Sequence, residues 1–267
     1  MGHPWTMVLI NRLLGQPALV LLHALKLPAN PQYPIPNHIA MEIIVLAISM
    51  VFFLVLRVRL SVDRPGAVQQ CMEGLLTNPL DLGVRDLLKD SIGHDYEKYL
   101  PFIGSIGIFV LFCNLISVFP TLESPTATVS VPFGLAIVVF IYYNWTGLVK
   151  RGSWGYLKHF FGPLPLLAPL MFPIELISHS ARLLSLTVRL WVNMFVSELL
   201  YGIFLGLVLQ LSLYIGHLSN IGYVSFAFPL LVPVIFIALH IFVGFLQAFV
   251  FTILPVIYVA GAVAEEH

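Results

Sequence analysis

Apolar residues along this chain fall in long runs rather than alternating with polar ones. A run of about 20 apolar residues is long enough to cross some 30 Å of hydrocarbon as a helix. Residues 39–56, 101–120 and 129–149 fit that length, and the second is broken only by small residues and Asn114. Two later segments are far longer. Residues 166–213 would reach about 70 Å as a helix, more than twice the hydrocarbon thickness. Residues 223–263 repeat the anomaly, and a turn near GHLSNIG joins the two. The pattern predicts an all-α integral membrane protein with three crossing helices followed by two long, strongly tilted, antiparallel membrane helices. Residues 1–38, interrupted at Pro17 and by the prolines of 28–36, are expected to form an interfacial helix and loop before the membrane domain at 39–267. They lack a compact basic leader with a small-residue cleavage site, so they are not expected to be cut away.

Charge placement orients the runs. Arg57, Arg59 and Arg64 follow the first crossing, Lys98 precedes the second, and Lys150 and Arg151 follow the third. Clustering of Lys and Arg on the cytoplasmic side puts the amino terminus outside and the carboxyl terminus in the cytoplasm. The loop TLESPTA, with Glu123, then faces outward. Composition agrees with a lipid environment: 59% of residues are hydrophobic and only 10% charged, against about a quarter charged in soluble domains. Thirteen basic and thirteen acidic residues cancel, which removes the positive field that nucleic-acid binding needs. Two cysteines, Cys71 and Cys113, make no disulfide framework. There is no GxxxxGK[ST] loop, HExxH or cysteine cluster, so neither nucleotide hydrolysis nor zinc proteolysis is supported within the chain, and no cofactor or metal is expected.

The polar residues inside the long runs carry the candidate chemistry. An arginine in hydrocarbon costs about 2.5–3.5 kcal/mol on insertion scales, so Arg189, in LSLTVRLWVNMFVSELL, needs a reason to be there. Arg182 lies seven residues before it and Glu175 fourteen, stacked on one helical face; Ser185 and Asn193 extend that stripe. Glu198, nine residues on, falls on the opposite face and is a poor partner within the helix. An ordinary ion pair or a reach to the interface accounts for Arg182 as well as a functional role does, whereas Arg189 fits an acid on another subunit better. His240 and Gln247 share a face of the last helix, and His240 could form a proton-accepting pair with Glu198; helix–helix hydrogen bonding is the plainer alternative for both. Glu175 and His179, four residues apart, are a weak metal pattern and suit a proton path better. His217 and Asn220 read as interfacial, and Gly104 with Gly107 as small residues that let helices approach. A secondary transporter with buried charges and a non-catalytic membrane scaffold both remain open on these residues alone.

The segment RLWVNMFVSELL, with LHIFVGFLQAFVFTILPVIYV after it, resembles the a subunit of the membrane sector of rotary F-type ATP synthases, whose pattern is RLFGNMxxxEL. The likeness extends over about residues 39–267, including NLISVFP and the terminal AEEH, and departs at Trp191, Val192 and Ser197, where phenylalanine, glycine and often glycine are usual. The resemblance implies a non-catalytic, proton-translocating subunit forming two aqueous half-channels against a ring of c subunits. It implies as partners the b subunits of the peripheral stalk and the rest of the synthase, in a bacterial inner membrane. Arg189 would face the ring carboxylate, Asn193 would order that site and Gln247 would support the arginine. Glu198 and His240 would belong to the outer half-channel, and Glu175, with Ser185 nearby, to the inner one.

Overall fold

A computed structural model describes residues 5–26, 28, 30–61, 65–76, 84–119, 122–161, 168–218 and 224–263. The described elements are helical: α1 Trp5–Ala24, α2 Asn37–Arg59, α3 Ala67–Leu76, α4 Val84–Ile92, α5 Leu100–Leu115, α6 Ser130–Phe161, α7 Ala168–Leu218 and α8 Val224–Val263, with short 3-10 turns at Gly93–Lys98, Ile116–Val118 and Pro125–Ala127. The expected segment ends at 120, 166–167 and 223, together with Arg64, Asn220 and the terminal AEEH, lie outside the described residues.

Six described helices are long and apolar enough to cross a membrane, one more than the five segments expected to do so. The extra one is α1, expected to lie at the surface. Pro17 does not stop it, because the carbonyl it leaves unbonded and the ring clash cost less than breaking an otherwise apolar helix when neighbouring groups compensate. Among the described residues its polar contacts to other elements reach the start of α2 and the residues just before it: Thr6 donates to Asn37 Oδ1 at 3.1 Å, while Asn11 donates to Ile35 O at 2.8 Å and accepts from Ile35 N–H at 2.9 Å. Two further differences are local. The second crossing tightens into a 3-10 turn at Ile116–Val118 instead of continuing as α-helix. The third runs on to Phe161 through a break at Gly152, whose φ of 73° is open to a residue without Cβ.

Contacts between helices fix the topology. Asn37 Nδ2 donates to Glu123 Oε2 at 2.5 Å, so the start of α2 and the loop after α5 share one end of the molecule. At the other end Asp95 pairs with Lys98 at 2.9 Å and approaches Lys150 at 3.9 Å, and Arg151 donates to Gly261 O at 3.3 Å. The Lys98 ammonium, exposed beside Asp95, is held above its ordinary pKa by that hydrogen bond and charge. Helices α7 and α8 form an antiparallel hairpin: Ser197 meets His240, the Phe204 ring stacks on Phe236 with centroids 4.1 Å apart, and Arg182 sits over the Tyr258 ring. At 51 and 40 residues both exceed any perpendicular crossing.

The core lies where α5, α6 and α8 meet one face of α7. Leu186, Leu190 and Met194, spaced by one turn, pack there with Tyr143, Phe251, Val256 and Val259. Helix α5 approaches α8 closely at two glycines: a Cβ on Gly107 would collide with the Thr252 side chain, and one on Gly244 would press on Asn114 at 3.4 Å. Gly107 thus has the packing role expected for it.

Candidate functional site

The buried stripe of α7 leaves its other face uncovered. Ser185, Val188, Arg189, Val192 and Val196 are all exposed on it, so one guanidinium stands in an otherwise apolar strip. Only 6% of the apolar window of this helix is buried, against 56% for α5, so α7 is the span that the chain's own packing covers least. Arg189 donates to Ser185 Oγ at a long 3.4 Å, and among the described residues it makes no salt bridge. The antiparallel register sets Gln247, which is buried, level with Asn193 and within about one turn of Arg189. No hydrogen bond joins Gln247 to Arg189 or Asn193 among the described residues.

Toward the Glu123 end, Glu198 and His240 come together. They line one small cavity of ≈ 10 Å³ with Ser117, Val118, Tyr201 and Ile237, about the space of one water. Glu198 Oε1 accepts the Ser124 N–H at 2.7 Å, and the Ser117 hydroxyl lines the same cavity. The buried His240 ring is held at both nitrogens, with Nε2 at 2.8 Å from Ser117 Oγ and Nδ1 at 2.5 Å from Ser197 Oγ. The loop after α5 forms the wall behind them. Its Ser124 hydroxyl donates to Cys113 O at 2.8 Å, and Thr126 donates to Asn114 Oδ1 at 2.7 Å. Asn114 in turn donates to Gly244 O at 3.1 Å, tying α5 and the loop to α8.

A second polar cluster lies toward the Lys150 end. His179 is buried, with Nδ1 at 2.8 Å from Tyr143 OH and Nε2 at 3.2 Å from Glu175 Oε1. Both ring nitrogens are therefore occupied, which leaves the Glu175–His179 pair without a free metal-ligating nitrogen. Arg182 approaches Glu175 at 4.0 Å and places its guanidinium 5.6 Å from the Tyr258 ring centroid. The ion pair weighed for Arg182 is thus long and shared with a cation–π contact.

The structure gathers the sequence candidates into three groups: Arg189 with Ser185, Asn193 and Gln247 in the middle, Glu198 with His240 at one end, and Glu175 at the other. Sequence reasoning missed Ser117, Ser124, Thr126 and Tyr143 as parts of these groups, and treated Ser197 only as a departure in packing. Hydroxyl side chains carry no periodicity signal of their own; the single cue was Asn114 inside an apolar run, a buried amide that needs partners.

The family model for the ATP synthase A chain matches residues 39–260. The chain is 46% identical over 235 residues to a protein of Solibacter usitatus named ATP synthase subunit a, covering 88% of this chain and 90% of that one. It is 38% identical over 264 residues to the subunit of that name from Koribacter versatilis, covering 98% of both. The corresponding protein of Aquifex aeolicus is 35% identical over 232 residues, 86% of this chain and 99% of its own length.

Proposed function

From the premise that this chain belongs to the ATP synthase A chain family, we propose that its uncovered α7 face, with Arg189 at its centre, lies against a rotating ring of c subunits. As a proton-translocating subunit it carries ions and performs no nucleotide chemistry; the catalytic subunits of the synthase do that. It is a multi-pass protein of the bacterial inner membrane. The observation that carries the ring assignment is the pairing of the least buried span with an arginine that no acid within the described chain neutralises. A charge in such a strip is stabilised by an acid on the surface that covers it.

A fixed cation beside a ring carboxylate favours its ionised form, releasing a proton on one side and taking one up on the other. The same charge stands between the two polar clusters and repels protons that would pass directly from one to the other. Glu198 and His240 form the outer half-channel, and Glu175 with Ser185 nearby forms the inner one. Asn193 and Gln247, level on facing helices, order the site about Arg189. In this reading α2, α5 and α6 cross upright and α7 and α8 lie steeply tilted, following the curve of the ring. Residues 1–38 form a separate amino-terminal element, and the b subunits of the peripheral stalk hold the chain still. The positive residues beside Asp95 support a cytoplasmic position for that end and the carboxyl terminus, with the amino terminus outside. A secondary transporter would need paired halves and a central substrate site, and no observation favours it.

The test is Arg189→Ala in the assembled, reconstituted synthase. ATP-driven proton pumping should fall to background while the chain still copurifies with the c ring. Arg189→Lys should not restore coupling, because a point charge on a different stem does not reproduce the guanidinium fork. Near-normal pumping by the alanine variant would sink the assignment.

A further inference from the structure

The acid of the outer cluster is held by the main chain. Glu198 Oε1 accepts the Ser124 N–H at 2.7 Å, across 74 positions of sequence. Ser124 opens the turn Pro125–Ala127 with φ −70° and ψ 125°, and its carbonyl closes that turn by accepting the Ala127 N–H at 3.1 Å. Bonds to three other parts of the chain pin the turn. Glu123 accepts from Asn37 at the start of α2, the Ser124 hydroxyl donates to Cys113 O at 2.8 Å, and Thr126 donates to Asn114 Oδ1 at 2.7 Å. Asn114 and Thr126 are fully buried. Because a backbone carbonyl can only accept, Gly244 O takes the Asn114 amide nitrogen at 3.1 Å, which turns the amide oxygen toward Thr126. The donor that meets Glu198 is therefore fixed on α2, α5 and α8 together.

Resting on the proton-path reading above, we infer that Ser124 is the positioning residue of Glu198, its backbone N–H holding Oε1 as an acceptor and leaving Oε2 to carry the proton, and that Thr126 and Asn114 keep that N–H in place. A carboxylate accepts at either oxygen, and a protonated carboxyl group accepts best at the oxygen without the proton. The bond at Oε1 thus survives both charge states, and the proton leaves from Oε2 and returns to it. A peptide N–H does not titrate, so the clamp neither supplies a proton nor takes one. Without it the carboxyl group would turn about its last side-chain torsion, which is broad and roughly two-fold, and present either oxygen to its neighbours. The same bond ties α7, the helix that carries Arg189, to a turn fixed on three other helices. Glu198 therefore keeps its place while the surface opposite Arg189 moves past.

The experiment measures ATP-driven proton pumping by the whole synthase in liposomes, per copy of this chain retained with the c ring. Ser124→Ala removes the hydroxyl and keeps the N–H, and should retain most of the flux. Ser124→Pro removes both at a φ that already suits proline. Its flux should fall about tenfold below that of Ser124→Ala, short of the roughly hundredfold that a misplaced reacting group can cost. Thr126→Val, which removes the second hydroxyl at similar volume, should lose flux to a degree between these two, and Thr126→Ser should recover it. Equal flux in Ser124→Ala and Ser124→Pro overturns the clamp, and equal losses in Thr126→Val and Thr126→Ser overturn the part given to Thr126 and Asn114, since packing alone then accounts for them. If Ser124→Pro does not assemble with the c ring, the Thr126 pair decides: flux lost in valine and kept in serine supports the clamp, and equal flux overturns it. Arg189→Ala measured alongside separates the two claims. Blocked pumping there with equal flux in the two Ser124 variants defeats the clamp alone, and normal pumping in Arg189→Ala defeats the proton path on which it rests.

Discussion

At the scale of single residues, chemistry is divided among three groups spaced along one hairpin. Among the described residues Arg189 has no acid of its own, Glu175 is engaged by His179 and Arg182, and Glu198 is engaged by Ser124. The engaged acids are held by neutral donors or by one long ion pair, so each can change charge without stranding a buried partner. That arrangement bears on the outer cluster. Because Glu198 and His240 line one small cavity, an acid and an imidazole exchanged between the two positions would still meet there. Glu198→His combined with His240→Glu should therefore retain more proton flux than either single replacement, measured in reconstituted synthase from pH 6 to 9. Losses that simply add, with no recovery in the double variant, would show that the two residues do not work as a pair.

At the scale of elements, the antiparallel fit of α5 on α8 is set by where side chains are missing. Gly107 faces Thr252, whose hydroxyl is already committed to Ala248 O at 2.7 Å and so cannot swing away without losing a bond. Gly107→Ala should cost about 1–3 kcal/mol by overpacking. Gly134→Ala on α6, where nothing lies within 4 Å of the added carbon, should be neutral or slightly stabilising. Thermal release of the chain from the detergent-solubilised synthase distinguishes them; equal midpoints for the two variants would refute the close contact. The long helices and the position of Arg189 were legible in the sequence because hydrocarbon imposes a length and penalises charge, and both show in one dimension. The loop of Ser124 and Thr126 was not legible. Read as a water-facing connection, it folds back and buries both residues against α5 and α7, since its hydroxyls find Cys113 O and Asn114 Oδ1 in place of water. Those partners are fixed only by tertiary packing. The nearness of Glu198 to His240 was legible as an antiparallel possibility, yet the contact of Ser117 with His240 was not, because the turn at Ile116–Val118 that aims the hydroxyl leaves no periodic trace.

At the scale of the whole molecule, cross-links at the two ends decide which termini share a side. Asn37 with Glu123 and Ser124 with Glu198 close one end; Lys150 with Asp95 and Arg151 with Gly261 close the other. The chain thus alternates between ends through α2, α5, α6, α7 and α8, and returns the end of α8 to the basic end. Reversing any one helix would pull apart one of these contacts, so the alternation holds as a unit and leaves only the absolute sidedness to be set. Lys and Arg near the basic end resist translocation, which supports the cytoplasmic side proposed for it. In a Cys71→Ser background, an impermeant thiol reagent added outside intact cells should label Glu123→Cys. It should label Asp86→Cys and Gly261→Cys only after the membrane is opened. Native Cys113, fully buried between α2 and α5, should react slowly from either side, because the thiolate that attacks the reagent is disfavoured in apolar surroundings. Labelling of Gly261→Cys and Glu123→Cys from the same side would overturn the alternation, and with it the placement of the two half-channels at opposite ends of α7.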